Sequence, residues 1–239
     1  MQNTSTDQRR VCAVTGGSGG IGLATAKKFA TQGYSVALCG RNEAKLAQAA
    51  AQIATDAAME CQAITIDLSQ PQAGATFIAD VLDRLGRVDV LVNNAGAAVM
   101  APLEELAADE FERMLSVNVA ATFHATQTAW RAMQQQGSGV IVNVASQAAK
   151  DPFPGFAVYG ACKAWAALFT QAIAKEGKPA GVRAYAVLPG AVETAMLRGV
   201  LPDFPAEQAL APADVAETIF ALCQPPWRHA SGSVIDIMK

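Results

Sequence analysis

The sequence predicts an α/β fold: a single doubly wound parallel sheet of about seven strands with helices on both faces. Two observations predict it. Short apolar runs rich in Val and Ile alternate with longer stretches of helical period along the 239-residue chain. A glycine-rich turn, TGGSGGIG at 15–22, follows the first apolar run and opens the first helical stretch. Strands that alternate with helices this way lie buried between two helical layers, which makes a parallel sheet.

The strands are read at VCAVT (11–15), SVALC (35–39), CQAITI (61–66), VDVLVNN (88–94), GVIVNVAS (139–146) and VRAYAVL (182–188). SVIDI (233–237) makes the seventh. Each is short and bounded by Gly, Asn or Asp. The first helix, from Ile21, ends at Gly33, a residue suited to the left-handed position after a helix. The second opens at Asn42, a side chain able to cap the free N–H groups. The third has Pro71 near its first turn. Helical stretches at 107–136, 157–176 and 212–223 follow. The segment 197–212 has three prolines within eleven residues and no period, so it reads as a surface lid rather than a domain boundary. Residues 1–10 read as a loose polar lead-in, and 11–239 as one domain with a substrate lid at about 191–212.

The formal charge of −3 gives no electrostatic reason to expect nucleic acid or an anionic membrane as partner. No run reaches the roughly 20 apolar residues of a membrane span. The N-terminus lacks the apolar stretch of a secretory signal. Five cysteines without a paired spacing read as reduced thiols, which predicts a cytoplasmic protein. No metal site is expected.

A strand–glycine turn–helix unit points to a dinucleotide. Glycines let backbone N–H groups approach a phosphate, and the helix N-terminus adds partial positive charge. The spacing here, T-G-x-x-x-G-x-G over Thr15 to Gly22, combines with LVNNAG at 91–96 and with Tyr159 and Lys163 four residues apart. In that order and at those spacings, the chain resembles the classical short-chain dehydrogenase/reductase family over roughly residues 10–237. The resemblance implies a Rossmann-type oxidoreductase that moves a hydride between a nicotinamide and a ketone, aldehyde or secondary alcohol.

It also implies site residues. Gly16, Ser18, Gly19, Gly20, Ile21 and Gly22 would hold the pyrophosphate. Asp67 and Leu68 would line the adenine pocket, although Asp67 reads equally as a helix cap. Asn94, Ala95 and Gly96 would run along the ribose, while Asn93 serves equally as a tie between strands. Pro189, Gly190, Val192 and Thr194 would hold the nicotinamide end. The second strand ends without an acidic residue for ribose hydroxyls and carries Arg41, whose guanidinium can fork onto a 2′-phosphate. NADP(H) is therefore expected over NAD(H). The alternative is a solvated Arg41, and Gly19 stands where NADP-preferring relatives often have a second base.

Tyr159 and Lys163 share a helix face. An ammonium beside a phenol is expected to lower its pKa and make it a proton relay. Ser146, thirteen residues earlier, would orient the carbonyl, and follows Ala145 where relatives usually have a second serine. Asn118 reads either as a buried capping residue or, by resemblance, as a break in its helix that completes the relay. His124 and His229 read as incidental, and Tyr185 stands where relatives have Asn. Phe123, Trp130, Trp165 and Phe169 on the two long helices would pair subunits as a homodimer or homotetramer, or else pack on the sheet.

A regulatory protein that keeps the nucleotide but does no chemistry is the rival reading. All four positions Asn118, Ser146, Tyr159 and Lys163 are filled, which weighs against it. A sugar-nucleotide isomerase or dehydratase would need a larger substrate domain after residue 196. The sparsely charged 197–212 segment suits an apolar small-molecule carbonyl or alcohol as substrate. The C-terminus, SGSVIDIMK, stops short of the family's glycine-rich ending.

Overall fold

The computed structural model describes residues 9–57, 59 and 61–239. Seven strands form one parallel sheet: β1 (Val11–Thr15), β2 (Ser35–Gly40), β3 (Cys61–Thr65), β4 (Val90–Asn93), β5 (Gly139–Val144), β6 (Val182–Pro189) and β7 (Val234–Ile237). Their order is β3-β2-β1-β4-β5-β6-β7. Helices α1 (Gly20–Thr31), α2 (Glu43–Ala57), α3 (Ala73–Leu85), α4 (Ala108–Leu115), α5 (Ala121–Gln136), α6 (Ala157–Gly177), α7 (Ala195–Val200) and α8 (Pro212–Cys223) connect them.

Side chains alternate across each strand, so the sheet buries two different faces. Cys12 and Val14 of β1 join a core with Phe29, Leu46, Ile53, Ile219 and Leu222, under α1, α2 and α8. Val11 and Ala13 join the other core with Phe77, Ile78, Met133 and Ile173, under α3, α5 and α6. Phe29 is fully buried and meets Tyr34 and Phe220 edge-on, with ring centres 5.0 and 5.2 Å away. Each such ring contributes about 1.5–3 kcal/mol by leaving water. Gly74 lets α3 reach α5, since a Cβ there would fall 2.2 Å from the Ala121 carbonyl oxygen.

The order reverses at β1 and β4. Chain segments leaving these two strands diverge, and the crevice between them is where ligands sit in such sheets. The two loops are sewn together at that point. Thr15 Oγ1 accepts the backbone N–H groups of Asn94 and Ala95, both at 3.0 Å. The Asn94 amide donates back to the carbonyls of Thr15 at 2.9 Å and Gly16 at 3.1 Å.

Several local expectations change. Pro71 lies just ahead of α3, which starts at Ala73 after Gln72 in a left-handed conformation. Strand β3 ends at Thr65, so Asp67 lies in the loop beyond it. The 107–136 stretch is two helices joined by one wide π turn, Ser116–Ala120. The prolines of 197–212 hid α7, which starts just ahead of them under a Thr194 cap. Arg10 is not loose: its guanidinium lies 4.3 Å above the Tyr34 ring, and its carbonyl accepts Ser35 N–H at 2.9 Å. The rest of the lead-in, residues 1–8, lies outside the described residues. Asn42 does cap α2, its Oδ1 accepting the Lys45 N–H at 2.9 Å. No described helix is long and apolar enough to cross a membrane.

Candidate active site

The glycine turn is built for close backbone approach. Gly16 and Gly20 adopt φ of +68° and +54°, which other residues reach only with strain. A Cβ on Gly22 would fall 2.3 Å from the Gly16 carbonyl oxygen and 2.6 Å from the Asn94 amide nitrogen. The turn therefore folds tightly onto α1 and leaves the first N–H groups of that helix facing the crevice without side-chain caps. Such a cradle fits a pyrophosphate, which takes N–H donors and partial positive charge. Ser18 borders it, Ile21 packs back into the core, and Gly19 is open, with nothing within 4 Å of where its Cβ would stand.

At the ends of β2 and β3, Arg41 is exposed beside the Asp67 loop. Asp67 Oδ1 accepts the Ser69 N–H and hydroxyl, each at 2.9 Å. The Ser69 amide foremost, and Arg41 more weakly, hold the Asp67 carboxyl below its usual range. This is a turn-forming role in the loop after β3 and not a helix cap, since Gln72 is the residue before α3. Leu68 is buried beneath it.

Four side chains converge at the other end of the crevice. Helix α6 starts just before Tyr159, and a half-buried phenol and a buried Lys163 project from one face. The Lys163 Nζ sits 5.6 Å from the Tyr159 ring centre and donates to the Val144 carbonyl at 2.9 Å. Ser146 caps the short 3-10 turn Gln147–Ala149, its Oγ accepting the Ala148 N–H at 3.2 Å. It also lies close enough to the Tyr159 phenol to favour its ionised form. Asn118 lies in the π turn, buried, donating to the carbonyls of Ala97 at 2.8 Å and Met114 at 2.9 Å and accepting the Ala97 N–H at 3.2 Å. A π turn widens the backbone ladder, which is how an Asn side chain reaches a carbonyl of its own helix and the β4 loop together. Gly96 completes the floor: a Cβ there would lie 3.1 Å from Asn118 Oδ1 and 3.4 Å from Lys163 Nζ.

The electrostatics differ from the sequence expectation. Burial pushes the Tyr159 phenol above its ordinary value, with the Ser146 hydroxyl opposing it. The Lys163 ammonium points to the Val144 carbonyl and is itself destabilised by burial, which brings its pKa down to about 8. Desolvation is the largest cause for both groups.

At the end of β6, Pro189 is buried, and Gly190 N–H donates to the Ile237 carbonyl at 2.9 Å. Val192 bridges to Leu210, and Thr194 Oγ1 caps α7 by accepting the Leu197 N–H at 3.2 Å. The Thr194 methyl carbon lies 2.9 Å from where a Gly20 Cβ would stand, so this segment leans over the glycine turn. Arg198 pairs with Glu193 and donates to the Pro202 and Phe204 carbonyls at 3.0 and 2.6 Å, folding the segment after α7 back on itself.

Comparison with known proteins decides the family. The family model described as short chain dehydrogenase matches residues 10–203. The chain belongs to the short-chain dehydrogenase family. An uncharacterized oxidoreductase of Staphylococcus epidermidis is 34% identical over 219 residues, covering 91% of this chain and 93% of that protein. The 3-ketoacyl-(acyl-carrier-protein) reductase of Brucella melitensis, solved with NADH, is 30% identical with a TM-score of 0.87, covering 95% of this chain and 96% of that one. A short chain dehydrogenase of Burkholderia cenocepacia, solved with NADP, is 31% identical with a TM-score of 0.88, covering 97% and 96%.

Three features of this short-chain dehydrogenase site are not read from sequence. The Val144 carbonyl, acceptor for Lys163, is backbone and carries no sequence signal. The Phe156 ring lies 5.4 Å from the Tyr159 ring, and one aromatic in a Pro-rich loop does not announce that contact. Met196 is exposed, with its Cε 3.7 Å from a Cβ position on Gly96; its place in ETAM is the available clue. Tyr185, the departure from Asn, is buried and donates to the Trp227 carbonyl at 2.6 Å, so it anchors the turn before β7. Trp130, Trp165 and Phe169 are partly buried against the cores, while Phe123 stays 38% exposed.

Proposed function

We propose that this short-chain dehydrogenase uses NADP(H) to interconvert a ketone or aldehyde and the corresponding alcohol. The observation that carries the reading is the meeting of Ser146, Tyr159, Lys163 and Asn118 at one end of a crevice whose other end is the glycine cradle. When bound, the dinucleotide supplies the hydride at nicotinamide C4.

The chain's own residues do the rest. In reduction Tyr159 gives its proton to the substrate oxygen as the carbonyl carbon becomes a carbinol. Its raised pKa keeps the phenol protonated at neutral pH, which suits the role of acid. The Ser146 hydroxyl holds the substrate oxygen beside the phenol and steadies developing negative charge. Lys163 binds the ribose hydroxyls and returns a proton toward Tyr159, and Asn118 fixes the backbone around it. Gly16, Ser18, Gly19, Gly20, Ile21 and Gly22 hold the pyrophosphate. Asp67 and Leu68 flank the adenine, and Asn94, Ala95 and Gly96 the ribose. Pro189 and Gly190 turn the chain beneath the nicotinamide, and Val192 and Thr194, at the start of a lid at about 191–212, hold its carboxamide.

Arg41 supports the phosphorylated dinucleotide, being exposed with its guanidinium unclaimed by a capping role. All five cysteines are free, which supports a cytoplasmic setting. Phe123 on α5 and Leu168 on α6, 38% and 68% exposed, support pairing of these helices in a homodimer or homotetramer.

The test is oxidation of NADPH and of NADH against a panel of neutral ketones and aldehydes. Carbonyl-dependent oxidation, faster with NADPH, is the expected result. No oxidation of either dinucleotide with any carbonyl, or with any alcohol in reverse, would refute the reading.

A further inference from the structure

Strand β7 is an edge strand, paired to β6 with Asp236 opposite Leu188. Asp236 is exposed, yet its carboxylate is fully engaged. Gln147 Nε2 donates to Oδ1 at 2.8 Å, and Lys150 Nζ donates to both oxygens at 2.8 and 2.7 Å. Gln147 also donates to the Leu188 carbonyl at 2.9 Å. Gln147 opens the 3-10 turn that Ser146 caps, and Lys150 closes it. One carboxylate thus clamps both ends of the turn that carries the serine.

We infer that Asp236 is a positioning residue for Ser146 and, through it, for Tyr159; this rests on the proton-transfer role proposed above. The clamp draws on the carboxylate's charge: Oδ1 accepts both the Gln147 amide and the Lys150 ammonium and Oδ2 accepts the ammonium again, so an amide side chain would keep an acceptor for Gln147 but lose the ion pair to Lys150. The simpler reading is a charged residue that keeps an edge strand from pairing with another chain. That reading needs no partner on the serine's turn, and Asp236 has two. An exposed ion pair adds little to stability, so positioning and folding effects separate.

The titratable groups near Tyr159 are Cys162 and Lys163 on its own helix. Lys150 and the exposed Asp151 lie in the segment after Ser146, and Asp236 faces that segment from β7. Losing the clamp releases Ser146, and with it the contact that favours the phenolate. The Tyr159 midpoint then moves up.

The experiment is an ultraviolet phenolate titration of each variant, read as the difference from the same variant carrying Tyr159→Phe, together with kcat and KM on the best carbonyl found. Asp236→Ala is expected to raise the midpoint by about half a unit or more. It is expected to lower kcat about tenfold with KM little changed. Asp236→Asn, which keeps an acceptor for Gln147, falls between, and Asp236→Glu restores most of both. Glu217→Ala, which breaks the exposed Lys28 pair at 2.6 Å on the far side of the sheet, changes neither. If Asp236→Ala does not fold, Gln147→Leu with Lys150→Met removes the donors instead and gives the same shift. An unmoved midpoint and kcat in a folded variant would overturn the inference. Should no carbonyl be turned over by wild type, the functional reading fails, while the phenolate titration still decides the clamp.

Discussion

The buried ammonium of Lys163 donates to the carbonyl of Val144 at 2.9 Å, the last residue of β5 and two before Ser146. Burial lowers its pKa from 10.5 to about 8. Between those values the unfolded chain holds a proton that the folded chain does not, so wild-type stability rises with pH across that window. Below about pH 8 the folded protein bears the full cost of a buried charge. Lys163→Met is expected to be more stable by about 1–3 kcal/mol at neutral pH, after losing one hydrogen bond. The gain should shrink as pH approaches 10, and activity should be lost. Denaturant unfolding at both pH values checks the sign.

On the proposed NADP(H) reading, Arg41 is the residue that would hold the 2′-phosphate, and the open space at Gly19 leaves room for a second base. Arg41→Ala should weaken NADPH binding about tenfold or more and leave NADH binding nearly unchanged, the loss expected for one charge-assisted contact to phosphate. Gly19 has φ near 180°, an extended conformation open to any residue. Gly19→Arg should fold normally and tighten NADPH further. Fluorescence titration with both coenzymes reads the outcome.

Gly22 tests the cradle from the opposite direction. A methyl group there meets the Gly16 carbonyl at 2.3 Å, and backbone cannot yield as a flexible side chain would. Gly22→Ala should cost about 1–3 kcal/mol of stability and weaken both coenzymes together. Thermal unfolding and the same titrations measure it, with Gly19→Ala as the tolerated counterpart.

The exposed helix face tests assembly. Leu168→Arg places a charge on a side chain now 68% exposed on α6. It should lower the sedimentation mass toward that of a single chain while leaving the melting temperature of the isolated fold within a few degrees, as expected for a surface position.

The architecture was legible where period and punctuation agree. Val-rich runs such as VCAVT and the glycine turn place β1, the switch point and the cradle directly. Tyr159 and Lys163 stood out because helical spacing puts them on one face in a chain that opens with the glycine turn, whereas that spacing by itself is common by chance. What escaped depends on contacts distant in sequence. Asp236 meets Lys150 across 86 positions, and nothing local in SVIDI announces it. The direction of the Tyr159 shift also escaped, since adjacency of charge is written in sequence whereas desolvation is set by packing. Thr194 capped a short helix in a segment whose prolines read as loop.

The central claim is that the Tyr159 phenol moves the proton. The measurement is the turnover of Tyr159→Phe on a carbonyl that wild type reduces, with coenzyme binding measured alongside. The account predicts a loss of about 10²–10⁴-fold in kcat, the range for removing a positioned acid, with coenzyme affinity and fold retained. Turnover equal to wild type would contradict it.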